Sequence, residues 1–266
     1  MSDIITETKE QLRDRILTQR MKIVSALENE RGTKVITLIH RREPWEEELK
    51  GGDTAHLTIE DSEHVLMQIR STPPDRPIDL VIHTPGGLAL AAEMIATAVK
   101  LHKAKVTVIV PFYAMSGGTL IALAADEIIM EPYSVLGPVD PQIGGWPSGT
   151  LLHLTQKKPA ESVSDQMWML AEIAGLSLTS IQRFIMWLLA EKLPQQAAAK
   201  TAEFLSGGYL SHDTPIMLDA ARSLGLPVNS SIPGKVYELF ETCAFGPCKR
   251  PYLGIYAAAE VQPQNS

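Results

Sequence analysis

The sequence predicts an α/β protein in which a largely parallel sheet is covered by helices on its faces. Continuously apolar segments such as IDLVIHT and KVTVIV alternate with longer segments of helical periodicity, a pattern typical of parallel strands that are buried on both faces. Glycine turns directly follow two successive apolar segments. The length of 266 residues, with 45% hydrophobic and 21% charged residues, suits one large globular domain.

The first predicted element is an amphipathic helical arm over residues 1–32. Its apolar residues are spaced by seven or four positions and fall on one helical stripe: Ile5, Leu12, Ile16, Ile23 and Leu27. Gly32 follows as the expected C-terminal cap. We expect the stripe to pack on its own domain or on a neighbouring subunit. Peripheral membrane contact through residues 1–30 is the alternative, and ten basic against ten acidic residues in positions 1–50 give it little electrostatic support.

Strands and helices are predicted to alternate from residue 33 onward. TKVITLIH is the first strand, and TIEDSEHVLMQIRS is a helix with a capping signature from Thr58 to Asp61. The next strand, helix, strand, helix and strand are predicted in IDLVIHT, LALAAEMIATAVKLH, KVTVIV, GTLIALAA and DEIIM. A mainly helical extension follows, from about residue 161 to residue 204.

The last part of the chain is predicted to hold one more helix and a tail. In DTPIMLDAARSLGLPV, Asp213 is the expected N-cap, Pro215 lies in the first turn and Gly225 follows the helix end. Beyond about residue 242 we expect an irregular, peripheral tail. The predicted organisation is therefore an arm at 1–32, one domain at 33–240 and a tail at 241–266.

Two glycine turns carry the chemical signal of the sequence, and each opens a predicted helix. The first is VIHTPGG, with Gly86 and Gly87, and the second is VPFYAMSGG, with Ser116, Gly117 and Gly118. Glycine accepts strained backbone angles, and amides at a helix start can stabilise an oxyanion. Both turns fall at one edge of a parallel sheet, so their amides can converge. The serine is either an exposed nucleophile at a strand-to-helix turn or an ordinary N-cap.

These motifs together resemble a known clan. HTPGGLALAAEMI, AMSGGTLIALAADEIIMEP and SVLGPVDPQIG resemble the core of the ClpP and signal-peptide-peptidase clan, and most closely the family called serine dehydrogenase proteinases. The similarity covers roughly residues 33–230. It implies a ClpP/crotonase-like β/α superhelix, Ser116 as nucleophile, and amides near Gly86, Gly87 and Gly117 as oxyanion donors.

The general base is less evident than the nucleophile. ClpP uses a histidine shortly after the strand that follows the serine helix, but the matching stretch here, SVLGPVDPQ, contains none. Relatives of the signal-peptide-peptidase type use lysine, and the corresponding segment here holds Lys157 and Lys158. We favour Lys158 because it precedes Pro159 in a family-like KP pattern. A lysine base needs apolar burial without a paired carboxylate, because only the uncharged amine accepts a proton.

Histidines offer a second solution. His212, in the SHDTP motif, stands near the region where ClpP carries its triad aspartate, so it is the rival base. The adjacent Asp213 is better explained as a helix cap. His40 and His83 end predicted strands, and each is interpreted as a core or loop histidine, with a supporting position beside the site as the alternative.

Three further features are interpreted without chemistry. Asp140 in GPVDPQIG is predicted to be a turn residue, and GGWPSG, at 144–149, is predicted to be an exposed loop or a flap over the site. Cys243 and Cys248 are too few for a disulfide framework and lack neighbours for a zinc site, so we expect two reduced thiols.

The predicted function is therefore a serine peptidase that forms an acyl-enzyme on Ser116 and needs neither a metal nor an organic cofactor. The alternatives are a crotonase-type acyl-CoA enzyme, in which the same amides polarise a thioester, and a catalytically inactive scaffold. No G-x-G-x-x-G follows a strand, which argues against dinucleotide binding. The resemblance also implies a peptide or protein substrate and a homo-oligomer.

Charge and hydropathy restrict the binding partners and the cellular location that we expect. A net charge of −7 argues against a nucleic-acid partner, because a phosphate-binding surface normally has a basic excess. The first twenty residues lack the continuous apolar core of a secretory signal, and apolar stretches are too short to span a bilayer. We therefore expect a cytoplasmic protein, with peripheral contact at the inner face of the membrane as its one membrane role.

Overall fold

The computed structural model describes residues 7–48 and 56–254. Its strands are β1 (Lys34–Ile39), β2 (Ile78–His83), β3 (Val106–Val110), β4 (Tyr113–Ala114), β5 (Glu127–Met130), β6 (Val135–Leu136), β7 (Gln142–Ile143), β8 (Trp146–Pro147) and β9 (Val228–Asn229). Its helices are α1 (Lys9–Arg31), α2 (Ile59–Ser71), α3 (Ala89–Leu101), α4 (Gly117–Ala124), α5 (Ser148–Lys157), α6 (Asp165–Leu189), α7 (Gln195–Ser206), α8 (Leu218–Ser223) and α9 (Gly234–Glu241).

The centre of the fold is a parallel sheet in the order β1-β2-β3-β5-β9. The first four strands of this order follow one another along the chain as well as across the sheet. Helices α2, α3 and α4 lie in the connections between them. This repeated strand and helix unit is the β/α superhelix that the family resemblance implies. The turns that leave β2 and β3 lie at the same sheet edge, because parallel strands all point the same way.

Side chains along the strands alternate between two apolar cores, one on each face of the sheet. The face covered by α2, α3, α4 and α6 receives Ile36, Leu38, Leu80, Ile82, Val108, Val110, Ile128 and Met130. The face covered by α1 and α9 receives Val35, Ile39, Val81, Ile109 and Ile129. Burial on both faces explains why these strands read as continuous apolar runs in the sequence.

Local signals fix the helix ends as predicted. At the start of α2 the backbone N–H of Thr58 donates to Asp61 Oδ2 at 2.9 Å, and the Thr58 hydroxyl accepts from the backbone N–H of Asp61, which completes the capping box. Gly32 ends α1 with φ 67°, a left-handed conformation that glycine adopts readily.

The predicted amphipathic arm packs on its own domain. Ile16, Ile23 and Leu27 of the α1 stripe are buried, the last two in the core between α1 and the sheet. Ile5 lies outside the described residues. Of the helices described, none combines the length and the apolar character needed to cross a membrane.

Two expectations about the end of the chain need correction. Helix α8 begins at Leu218, so Asp213 does not cap it; Ile216 instead pairs in extended conformation with Leu136, which delays the helix. The described tail, 242–254, is irregular but not peripheral. Tyr252 pairs with Ile39 at the sheet edge and is 7% exposed.

We predict that Arg20→Ala lowers the free energy of unfolding by roughly 3–5 kcal/mol, because it leaves Glu43 without its partner in a mostly buried position. Arg20 is fully buried, binds both oxygens of Glu43 at 2.9 and 2.7 Å and donates to the Thr242 hydroxyl at 2.7 Å. Urea unfolding measures the change. Arg13→Ala, an exposed position on the same helix, is the control with an expected change below about 0.5 kcal/mol; equal losses would contradict the role of Arg20.

Candidate active site

Ser116 stands in a strained backbone conformation at the start of α4. Its φ of 49° and ψ of −115° lie outside the regions that residues with a side chain normally occupy. The side chain makes no capping hydrogen bond, which removes the simplest structural explanation for a serine here. The turn is held from both sides: Met115 N–H donates to Thr84 at 2.9 Å, and Gly118 N–H donates to the carbonyl of Met115 at 2.7 Å.

The first glycine turn, at Gly86, approaches Ser116 so closely that a side chain on this glycine would not fit. A β-carbon placed on Gly86 would lie 2.8 Å from Cβ of Ser116, and one placed on Gly117 would lie 2.9 Å from Cβ of Ala92. Gly86 also has φ 99°. Gly86 is therefore required by the contact between the two turns as well as by its backbone angle, and Gly117 is required by its contact with α3.

Two backbone amides near Ser116 are available to a ligand. Among the described residues, no hydrogen-bond acceptor is found for the N–H of Gly87 or for that of Gly117, which opens α4. A β-carbon on Gly117 would lie 3.7 Å from the Gly87 nitrogen, so the two amides are neighbours. The Gly86 amide differs, because it donates to the Thr84 hydroxyl at 3.1 Å. The geometry therefore gives Gly87 and Gly117 the better fit to an oxyanion.

Ser116 lines a cleft of about 540 Å³, which we call the Ser116 cleft. Its walls come from the start of α3, the start of α4, the segment around β7 and the middle of α6. The lining is Gly87, Leu88, Ala89, Glu93, Ser116, Gly117, Leu120, Val139, Asp140, Pro141, Gln142, Ile143, Leu176, Ser177, Ser180 and Ile181. A mostly apolar cleft with few polar groups is typical of a small-molecule or peptide site.

His212 and Asp140 form a pair at the wall of this cleft. Asp140 is 3% exposed, and its Oδ1 lies 2.7 Å from Nδ1 of His212. This hydrogen bond raises the pKa of His212 above its ordinary value of 6.5. The antiparallel bridge between Leu136 and Ile216 aligns the two segments, because Asp140 lies four residues after one and His212 four residues before the other. Gln142 also donates to Asp140, at 2.6 Å.

The two lysines that were candidate bases lie outside the Ser116 cleft. Lys157 ends α5 and Lys158 follows it; both are exposed, and neither lines the Ser116 cleft. Lys158 instead lines a separate cleft of about 150 Å³ with Met167. Burial does lower the pKa of Lys192 to about 8, but its Nζ donates at 2.6 Å to the carbonyl of Leu123, near the opposite end of α4 from Ser116.

His40 and His83 line a different cleft, of about 330 Å³, together with Tyr113. They are 6% and 2% exposed, and within the part of the chain described here their ring nitrogens have no hydrogen-bond partner. Burial lowers the pKa of His40 to about 4 and that of His83 to about 3, so both are neutral at pH 7. Their placement fits the interpretation as core histidines rather than as groups that face Ser116.

The segment predicted as an exposed loop is a small hairpin. Strands β7 and β8 pair in antiparallel fashion, and Gly144 and Gly145 join them with φ of 59° and 83°. Positive φ at both central residues is the signature of the tight turn that suits a two-residue hairpin. Gln142 and Ile143 of β7 line the Ser116 cleft, so the hairpin is one of its walls.

Sequence reasoning missed two acidic residues of the cleft. Asp140 was assigned to a turn, yet it stands in the stretch where a ClpP-like chain places its histidine, and that position was the available signal. Glu93 is half-buried on a helix of mostly small residues, and in the sequence an acidic residue on such a helix carries no distinguishing signal.

Comparison with known proteins identifies the relatives of this chain. A model of the family described as ClpP-like SDH-type serine proteinase matches residues 4–256. Two uncharacterized proteins of Methanocaldococcus jannaschii, MJ1495 and MJ0137, are each 48% identical to the chain, over 86% and 84% of its length and 78% and 77% of theirs.

Two solved structures are similar to this chain at low sequence identity. An alanine mutant of the membrane-bound stomatin-specific protease 1510-N is 19% identical, with a TM-score of 0.45 over 70% of this chain and 79% of that one. ClpP1 from Listeria monocytogenes is 15% identical, with a TM-score of 0.46 over 84% of this chain and 99% of that one.

We predict that Ser116→Gly is more stable than Ser116→Ala by roughly 1 kcal/mol, because glycine adopts a positive φ without the strain of a β-carbon. Thermal or urea unfolding measures the difference. Ser177, in regular helix on the cleft wall, is the matched control: there glycine should be less stable than alanine by about 1 kcal/mol. The same order at both positions would show that Ser116 is not strained.

Proposed function

The chain belongs to the family of ClpP-like SDH-type serine proteinases, and we propose that it is a serine peptidase that hydrolyses peptide bonds through an acyl-enzyme on Ser116. One observation carries the proposal: a serine with positive φ and no capping hydrogen bond shares a cleft with two amides that no described residue uses. Strain of this kind persists where the surroundings enforce it, and it clusters at active sites.

The proposed reaction proceeds in two stages. In the first, the Ser116 oxygen attacks the peptide carbonyl carbon, the base takes the hydroxyl proton, and the amides of Gly87 and Gly117 stabilise the oxyanion. The peptide C–N bond then breaks, and the base returns its proton to the leaving amine. In the second stage a water molecule gives a proton to the base and attacks the acyl carbon. The Ser116 ester bond breaks as the base returns this proton to the Ser116 oxygen, and the carboxylic acid product leaves.

His212 is our proposed base, although the sequence alone favoured Lys158. Of the predicted bases, His212 is joined by a hydrogen bond to a residue that lines the Ser116 cleft, namely Asp140. The carboxylate fixes the tautomer with a proton on Nδ1, which leaves Nε2 as the acceptor. Lys157 and Lys158 are exposed, and neither lines the Ser116 cleft. A lysine base would need a rearrangement that buries one of them.

The two alternative functions receive less support. A crotonase-type acyl-CoA enzyme needs the two amides but no nucleophile, so it gives no reason for a strained serine between them. An inactive scaffold likewise gives no reason for the strain, which costs stability. The labelling and substitution experiments on Ser116 distinguish both alternatives from a serine peptidase.

We also propose that the protein forms a homo-oligomer, because its resemblance to the ClpP clan implies assembly. It is supported by exposed apolar side chains on the first half of α6: Trp168, Met169, Ile173 and Leu176 are 43%, 62%, 49% and 64% exposed. Large apolar side chains clustered at a surface mark interaction sites. The patch borders the Ser116 cleft through Leu176, so assembly would narrow access to the site.

We predict that a fluorophosphonate probe labels the wild-type protein at Ser116 and that Ser116→Ala abolishes both labelling and peptide hydrolysis, because the probe reacts only with an activated hydroxyl. Mass spectrometry of the labelled protein maps the site. Ser177→Ala is the control, because Ser177 lines the same cleft but lies in regular helix; it should keep its label. Hydrolysis that survives in Ser116→Ala would overturn the proposal.

We predict that His212→Ala lowers kcat/KM by about 100-fold or more through loss of the general base, whereas Lys157→Ala and Lys158→Ala change it little. Because the base must be unprotonated, kcat/KM should fall as the pH drops through a midpoint above 6.5. Asp140→Asn removes the hydrogen bond that raises this pKa, so the midpoint should move to lower pH. His153→Ala, exposed on α5, is the control. A large loss in Lys158→Ala with activity retained in His212→Ala would assign the base to lysine instead.

A further inference from the structure

One carboxylate in the Ser116 cleft is not used by the proposed mechanism. Glu93 lies one helical turn after Ala89 in α3, and both residues line the cleft. The opposite face of α3 is buried in the core through Ala92, Ile95 and Ala96. Glu93 is therefore held on a rigid element whose start packs against the Ser116 turn, where Ala92 meets Gly117.

Glu93 has no partner among the residues of 7–48 and 56–254, whereas the other acidic residue of the cleft is fully engaged. Its carboxylate forms neither a hydrogen bond nor an ion pair there, and burial raises its pKa. Asp140 instead accepts from His212 and Gln142. Among the residues that the structure describes, the lining includes no lysine or arginine. A half-buried carboxylate without a counter-charge gains more from a cation than one in open water does.

The remaining lining selects which kind of cation fits. Leu88, Leu120, Ile143, Leu176 and Ile181 line the cleft with apolar groups. Lysine and arginine side chains combine a charged end with an aliphatic stem, and the stem packs on apolar surface while the charge reaches a carboxylate. A small inorganic cation would leave these apolar walls uncovered.

We infer that Glu93 is a specificity-determining residue that binds a lysine or arginine side chain of the peptide substrate inside the Ser116 cleft. The substrate class is then a peptide with one basic residue close to the scissile bond and apolar residues around it. This inference rests on the proposed peptidase function, which supplies the peptide. Glu93 takes no part in bond breaking, so its removal changes substrate choice rather than the reaction.

The test uses internally quenched peptides with acetylated N-termini, in which lysine is moved through each position near the scissile bond and compared with norleucine at the same position. The wild-type protein should show a lysine to norleucine ratio in kcat/KM of about 10 or more at one position. Glu93→Gln should reduce this ratio to about 1 while norleucine peptides keep their rate within about 3-fold. Glu93→Lys should invert the preference toward glutamate. An unchanged ratio in Glu93→Gln would overturn the inference.

Two further arms keep the result interpretable. Glu172→Gln removes an exposed charge on α6 outside the cleft lining and should leave the ratio unchanged. An equal loss in this control would show a long-range charge effect and would contradict the inference.

If the wild-type protein hydrolyses no peptide, the proposed function fails, and Glu93 is tested by binding. Fluorescence anisotropy of the two labelled peptides on Ser116→Ala should favour lysine by about 10-fold, and adding Glu93→Gln should abolish the difference. Equal binding of both peptides to Ser116→Ala would overturn the inference separately.

Discussion

Two backbone turns touch at Ser116, and their contact leaves no space for a β-carbon on Gly86. The contact holds Ser116 at a positive φ that it would not adopt alone, and it places the amides of Gly87 and Gly117 side by side. The chemistry proposed here depends on this single arrangement. A hydroxyl and two N–H groups that are fixed before substrate arrives need no reorganisation during the reaction, which is the condition under which such donors are most effective.

The rest of the fold supports the two turns. The parallel sheet brings both to one edge, because they leave the adjacent strands β2 and β3. Leu57 pairs with Gly87 and fixes the first turn from outside, with its N–H 2.8 Å from the Gly86 carbonyl. Thr84 joins the first turn to the second through hydrogen bonds with Tyr113 and Met115. The apolar cores on the two faces hold the strands, so strain at Ser116 is maintained by many ordinary contacts.

Much of this could be predicted from sequence, because the signals are local. Continuous apolar runs predicted the strands, the Thr58 to Asp61 signature predicted a capping box, and glycines after strands predicted both turns. The pairing of Asp140 with His212 could not be predicted, because the residues are 72 positions apart and meet only through the bridge of Leu136 and Ile216. For the same reason the helix after Asp213 began later than expected: a long-range strand pair overrode a good local cap.

A crystal structure of the fluorophosphonate adduct would show whether the amides of Gly87 and Gly117 hold an oxyanion next to Ser116. We expect the phosphorus to be bonded to Ser116 Oγ and one phosphonyl oxygen to lie about 3 Å from the nitrogens of both Gly87 and Gly117, with φ of Ser116 still positive. An adduct whose oxygen points away from both amides, or a Ser116 that relaxes to negative φ, would show that the two turns do not form a fixed oxyanion site.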